Sequence, residues 1–223
     1  MSADLPLRHV WCLTPTRNGI EPLTRRCIDS VCELGAGRLE LAGCSDVALA
    51  RNMIMTRALE SAPADVTAFL LIDDDMSFSR AQAELVVGEC LERARPVSAI
   101  YATNSAAMAH TRRPDGTWLS GLGFMAVQRA HLERVALAMG TVVAINGAPL
   151  YPFCQCGLKG KGNAWWSEDY WFSDLMGGVD LLPMAVAHLK KIPLTADAHT
   201  IDRVLSGALD AELQNKEQAN ESP

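Results

Sequence analysis

The sequence predicts an α/β domain with a mixed, mostly parallel sheet flanked by helices. Three observations predict it. Short apolar runs alternate with helical patterns from about residue 9 to residue 101. The connections between those runs are long enough for the crossovers that parallel neighbours require. One run, Ala68-Phe69-Leu70-Leu71-Ile72, ends in Asp73-Asp74-Asp75, and the carboxyl edge of an open α/β sheet is where such folds bind ligands.

The elements follow in chain order. His9-Val10-Trp11-Cys12-Leu13 reads as a first strand, closed by the breaker-rich Thr14-Pro15-Thr16-Arg17-Asn18-Gly19. Leu23, Cys27, Val31 and Leu34 recur on one helical face, with Gly35 and Gly37 past its end. Arg38 to Ala42 is a short second strand, and Ser45 or Asp46 caps a helix through Val47, Ala50, Ile54, Ala58 and Leu59. After the aspartates, Ser79 caps a helix carrying Leu85, Gly88 and Leu91, and Pro96 precedes a strand from Val97 to Tyr101.

The pattern changes after residue 101. Asn104 to Gly116 is polar and loop-like, and Arg112-Arg113-Pro114-Asp115-Gly116 is a turn signal. Trp118 to Val127 contains Gly121-Leu122-Gly123-Phe124-Met125-Ala126-Val127, a glycine-led apolar strand, and Arg129 to Met139 reads as a helix. The glycine- and proline-rich segment 146–164 predicts a long mobile loop. Trp165-Trp166-Ser167-Glu168-Asp169-Tyr170-Trp171-Phe172 opens a helix to Met176, which Gly177-Gly178 ends. Short strands are expected around Val179–Leu182 and Ala185–His188, then a frayed polar tail.

Composition excludes several classes. With 223 residues, 49% hydrophobic and 21% charged, the chain can bury a substantial single core. A net charge of −6 leaves no basic footprint, which argues against nucleic acid as a partner. No apolar run approaches the ~20 residues of a membrane span. The N-terminus lacks the basic and apolar regions of a signal peptide, so the seven irregularly spaced cysteines are expected to be reduced, in a cytoplasm. Cys154-Gln155-Cys156 is too tight and isolated for a structural zinc site.

Three adjacent carboxylates repel one another and call for water or a cation. Hard oxygen donors suit Mg²⁺ or Mn²⁺, which are commonly shared with a substrate phosphate. A solvated turn that caps the next helix is the plainer reading of the same residues. His188 ends an apolar run and is either a core histidine or a ligand. Ser167-Glu168-Asp169 is an ordinary capping arrangement whose acids also suit general-base work.

Taken together, Thr14-Pro15-Thr16, Ala50-Arg51-Asn52, Asp73-Asp74-Asp75, Gly121-Leu122-Gly123-Phe124, Ser167-Glu168-Asp169 and His188 resemble, in order, the motifs of nucleotide-sugar-dependent glycosyltransferases of the GT-A type, close to the family-2-like enzymes. The resemblance implies a Rossmann-like GT-A domain over residues 1–205, with a nucleotide-binding half to about 103, an acceptor-binding half from 104, and a polar tail over 206–223. It implies metal-dependent transfer of a sugar from a UDP- or GDP-sugar to a glycan or other hydroxyl acceptor, with inversion favoured. Asp73 and Asp75 would be the DxD pair, Asp75 on the cation and Asp73 on the ribose or a bridging water. Asp74 would point the other way, beside the donor at most. His188 would complete the metal site, which favours Mn²⁺ over Mg²⁺. Thr14, Pro15 and Thr16 would cradle base and ribose, and Arg51 would lie near the pyrophosphate, although a surface arginine fits its position almost as well. Asp169 would be the general base, with Glu168 as second choice. Gly123 would allow close approach, and Trp165 and Trp166 would form an acceptor platform, with some of the four neighbouring aromatics turned into the core. Lys190 or Lys191 would add charge near the phosphates. A homo-oligomer is compatible with this reading.

Two other classes fit parts of the pattern. A haloacid-dehalogenase-like phosphatase would use Asp73 as nucleophile and Asp75 as acid/base, but that motif normally closes the first strand. A non-catalytic nucleotide-sugar or glycan-binding domain would need no base at Glu168-Asp169.

Overall fold

The computed structural model of the chain describes residues 7–103, 108–143, 147–159 and 164–189, with the backbone of 193–194. Six strands form the central sheet: β1 (Val10–Thr16), β2 (Gly37–Ala42), β3 (Ala68–Ile72), β4 (Val97–Ile100), β5 (Phe124–Gln128) and β6 (Asp180–Ala185). Their order is β6-β4-β5-β3-β1-β2. β2, β1 and β3 run parallel, as do β4 and β6, whereas β5 is antiparallel to both β3 and β4. The sheet is thus mixed and mostly parallel, as the sequence predicts.

Among the described residues five α-helices cover it: α1 (Pro22–Cys32), α2 (Val47–Ser61), α3 (Arg80–Arg93), α4 (Arg129–Met139) and α5 (Glu168–Leu175). Strand alternation decides which face each one meets. On β3, Ala68, Leu70 and Ile72 join a core with Ile28 and Val31 of α1 and Val86 and Val87 of α3. Phe69 and Leu71 face the other way, onto Ile54 and Met55 of α2, Leu132 of α4 and Phe172 of α5. All five residues of β3 are buried, so this strand carries the aspartates out from the middle of the molecule.

Local chemistry fixes the helix starts. Pro22 begins α1, where its missing N–H costs nothing. Asp46 caps α2 by accepting from the Leu49 N–H at 2.9 Å. Ser79 and Gln82 form a reciprocal capping box on α3, and Ser167 caps α5. These are the caps that the sequence announces.

Two expectations are corrected. The glycine-led strand expected over Gly121–Val127 is β5, which begins only at Phe124; Gly121–Gly123 lie outside it, and Trp118–Ser120 forms a separate short strand that pairs with His110–Arg112. The segment 146–164, expected as one long loop, contributes to two small hairpins, Val142–Val143 with Pro149–Leu150 and Gly157–Lys159 with Ala164–Trp166. Helical and strand periodicities are too short to register in pieces of two or three residues. Lys190, Lys191 and the tail over 206–223 lie outside the described residues.

Candidate active site at the carboxyl edge of the sheet

Past Ile72 the three aspartates diverge, and each meets a different element. Asp73 turns towards α2, where its Oδ1 accepts from Arg51 Nη2 at 2.8 Å. Asp74 turns towards β1, accepting from the Thr16 hydroxyl at 2.6 Å, while its carbonyl accepts from the Glu21 N–H at 2.8 Å. Asp75 meets His188, with Oδ1 and Nε2 3.0 Å apart. Asp74 is therefore not aimed away from the cleft. The chain leaves the strand as a turn, so the alternation that holds along β3 no longer decides side-chain direction.

Backbone pairing explains how His188 reaches Asp75. Met76–Ser77 pairs antiparallel with Ala187–Leu189, placing His188 opposite Met76. The Leu189 N–H also donates to the Asp75 carbonyl at 2.6 Å. His188 is buried, and its Nδ1 lies 2.9 Å from the Ala102 carbonyl. A carbonyl only accepts, so Nδ1 must carry a proton. Nε2 then faces the Asp75 carboxyl group either as the second N–H of an imidazolium or as a lone pair that a carboxyl proton or a bound cation can satisfy.

That geometry is a test of fit for a divalent metal. Neighbouring ligands of an octahedral ion with bonds of about 2.1 Å stand about 3.0 Å apart, which is the spacing of Asp75 Oδ1 and His188 Nε2. Among the described residues no group of three or more His, Cys, Asp or Glu side chains forms a ready cage. A two-residue half-site suits Mn²⁺ or Mg²⁺ that takes its other ligands from phosphate and water, and would not suit a metal held by protein alone.

Arg51 is the second hub. It projects from the second turn of α2, is only 6% exposed, and meets three carboxylates. Nη2 donates to Asp73, and Nη1 donates to Glu168 Oε1 at 3.0 Å and to Asp169 Oδ1. Burial alone would push the guanidinium towards losing its proton, but Asp169 and Asp73 more than compensate and raise its pKa. The sequence places Arg51 near a pyrophosphate or on the surface. In the structure it is buried and engaged by carboxylates.

Asp169 sits at the second position of α5. Burial lifts its carboxyl pKa from the ordinary aspartate value to about 6. Arg51 pulls the other way, Glu168 and Asp73 add repulsion, and the Leu122 N–H donates to Oδ1 at 3.3 Å. The side chain keeps 25% of its surface exposed, enough for a reactant to reach it. A carboxylate that titrates near 6 is suited to taking a proton at neutral pH.

A cleft of about 310 Å³ lies over these groups. Pro15, Thr16, Arg17, Arg51, Asp73, Asp74, Asp75 and His188 line it, together with Cys44, Ser45, Val47 and Ala50. Its volume falls at the lower end of the range for small-molecule sites. Thr14 is buried in β1 and does not line the cleft.

Gly123 sits beneath the acids. Its N–H donates to the Tyr101 hydroxyl at 2.6 Å, and its carbonyl accepts from the Asp73 N–H at 3.0 Å. A Cβ there would lie 2.9 Å from Tyr101 Cζ and 3.1 Å from Asp73 Oδ2, so only glycine fits. Tyr101 is buried and also makes edge contacts with His110 and His188. Sequence reasoning missed its role, although a residue just past the carboxyl end of a sheet strand was the available signal. Trp165 and Trp166 differ. Trp165 is 70% exposed on its hairpin, whereas the Trp166 ring is covered by Lys159, whose Nζ lies 4.9 Å from its centroid and 4.6 Å from that of Trp171.

No protein-family model matches the chain, and no curated protein matches it. Among solved structures it is similar to the crystal structure of A197 from STIV, with a TM-score of 0.54 and 16% identity over 84% of this chain and 94% of that one. The likeness is one of fold. A looser match is 4-diphosphocytidyl-2C-methyl-D-erythritol synthase from Anaerococcus prevotii DSM 20548, with a TM-score of 0.36 and 10% identity over 78% of this chain and 89% of that one. Among the described residues no helix is long and apolar enough to cross a membrane.

Proposed function

We propose that the protein is a metal-dependent glycosyltransferase that moves a sugar from a nucleotide-sugar donor to an acceptor hydroxyl with inversion. One observation carries the reading. Arg51 ties Asp73, at the strand end, to Glu168 and Asp169 on α5, so a set of acids suited to a donor and a set suited to proton transfer share one site. Three carboxylates, Asp73, Asp74 and Asp75, line this cleft with Arg17 and the buried Arg51, and Arg51 in turn contacts Glu168 and Asp169. A free nucleoside diphosphate would be repelled by such a field.

Asp75 and His188 would hold Mn²⁺, or Mg²⁺, against the donor diphosphate. The bound cation would neutralise the charge that develops on the leaving group. Pro15, Thr16 and Asp74 would face the nucleoside. The acceptor oxygen attacks the anomeric carbon, the bond to the phosphate oxygen breaks, and the nucleoside diphosphate leaves with the electron pair. The acceptor proton passes to Asp169, whose side chain is a quarter exposed and is tied through Arg51 to the cleft-lining Asp73. Exposed Trp165 offers an aromatic face to an acceptor sugar.

The test is incubation with Mn²⁺, a panel of UDP- and GDP-sugars and hydroxyl acceptors, reading released nucleoside diphosphate. Release that requires the cation supports transfer. Tight donor binding with no release under any acceptor would make the protein a binding module. Hydrolysis of a generic aryl phosphate that is lost on Asp73→Asn would make it a phosphatase.

A further inference from the structure

Arg51 donates to Asp169 through Oδ1, and the Leu122 N–H donates to the same oxygen. Among the described residues, every hydrogen bond to the Asp169 carboxylate falls on Oδ1. The other nitrogen of the same guanidinium holds Asp73 Oδ1 at 2.8 Å. Arg51 is carried by α2, whose next residue, Asn52, clamps the Cys154 backbone with two hydrogen bonds of 2.8 and 2.7 Å.

We propose that Arg51 is a positioning residue for the base: it occupies Asp169 Oδ1, leaves Oδ2 as the oxygen that takes the acceptor proton, and locks that geometry to Asp73 on the donor side. This rests on the transferase reading above. The fork matters as much as the charge. A planar guanidinium can hold carboxylates on two nitrogens at once, whereas a lysine ammonium is a point charge on a flexible stem. Arg51 is thereby not the ligand of the donor phosphates, because the described contacts of both its terminal nitrogens go to Asp73, Glu168 and Asp169. It acts through Asp169 rather than on the substrate.

The test is a cycle of Arg51→Lys, Asp169→Asn and the double variant, read as kcat and as KM for donor and acceptor. Arg51→Lys keeps a buried positive charge among the three acids, and circular dichroism checks that each variant folds. The expected result is a kcat about tenfold to a hundredfold lower in Arg51→Lys, the scale of a small misplacement of a reacting group, with donor KM within threefold of the parent. In the Asp169→Asn background the same Arg51 change should cost almost nothing further, because the two act as one unit. A raised donor KM with unchanged kcat would make Arg51 a phosphate ligand and overturn the proposal, as would fully additive losses. If Arg51→Lys does not fold, Arg51→Ala with added guanidinium serves as the second variant: recovery of kcat supports the role, and no recovery in a folded protein counts against it. Absence of transfer by the parent protein is a separate result, and it rejects the function rather than the role of Arg51.

Discussion

Asp75 Oδ1 and His188 Nε2 stand 3.0 Å apart at the edge of the cleft, although one follows β3 and the other lies in a small strand near the end of the described chain. The pairing of Met76 with His188 holds them there. The His188 proton on Nδ1 is committed to the Ala102 carbonyl, so the ring presents Nε2 to the carboxylate.

Removing either member should weaken metal-dependent donor binding. Asp75→Ala and His188→Ala are each expected to reduce the thermal stabilisation by Mn²⁺ plus donor. A ligand at a hundred times its Kd stabilises by about 2.7 kcal/mol, and most of that should vanish in the variants. Equal stabilisation of parent and variants would show that the cation sits elsewhere.

Asp169 sets an expected pH dependence. Its folded-state pKa, raised to about 6 by burial, lies above the ordinary aspartate value. The base is protonated below that point, so kcat should rise as pH increases through about 6 and level off above it. The stability contribution has the opposite sign. Between about 4 and 6 the folded state binds the proton more tightly than the unfolded state, so this group's contribution falls as pH rises through that window. A pH–rate profile checks the first statement, and Asp169→Asn should remove the acidic limb from whatever turnover remains.

His110 predicts an effect of the other sign on stability. It is buried, accepts from the Tyr101 N–H through Nε2 at 3.2 Å and meets Ser120 Oγ through Nδ1 at 2.9 Å. Burial lowers its pKa to about 3. The unfolded chain binds the proton near the ordinary histidine value, so stability from His110 is complete above that value and lost as pH falls towards 3. Denaturant titrations at stepped pH should show this loss reduced in a variant where asparagine replaces His110.

Gly123 should tolerate no side chain. Gly123→Ala drives a methyl against the Tyr101 ring and the Asp73 carboxylate, an overpacking cost of about 1–3 kcal/mol. Tyr101→Phe removes the acceptor of the Gly123 N–H and leaves that buried donor unpaired, at about 1–3 kcal/mol. Urea unfolding measures both. A neutral result at Gly123 would mean that the backbone there shifts freely.

Much of the fold was legible because it rests on local rules. The caps at Asp46, Ser79 and Ser167 obey side-chain hydrogen-bond chemistry that a sequence displays. The five buried residues before Asp73 announce a central strand. The hairpins within 142–166 were not legible, because their strands are two or three residues long and carry no periodicity. In the site, the residue types were visible but their pairings were not. The divergence of Asp73, Asp74 and Asp75 towards α2, β1 and the His188 strand depends on a turn geometry that no spacing encodes. The engagement of Arg51 depends on α5 bringing Glu168 and Asp169 to it, a contact between distant parts of the chain.

The central claim is that the strand-end aspartates and the acids of α5 form one active site with separate duties. Donor binding and turnover of Asp169→Asn, measured side by side in Mn²⁺, test it most directly. The account predicts a donor Kd close to that of the parent and a transfer rate lower by about 10²–10⁴, the usual contribution of a general base. Undiminished turnover in Asp169→Asn would contradict it.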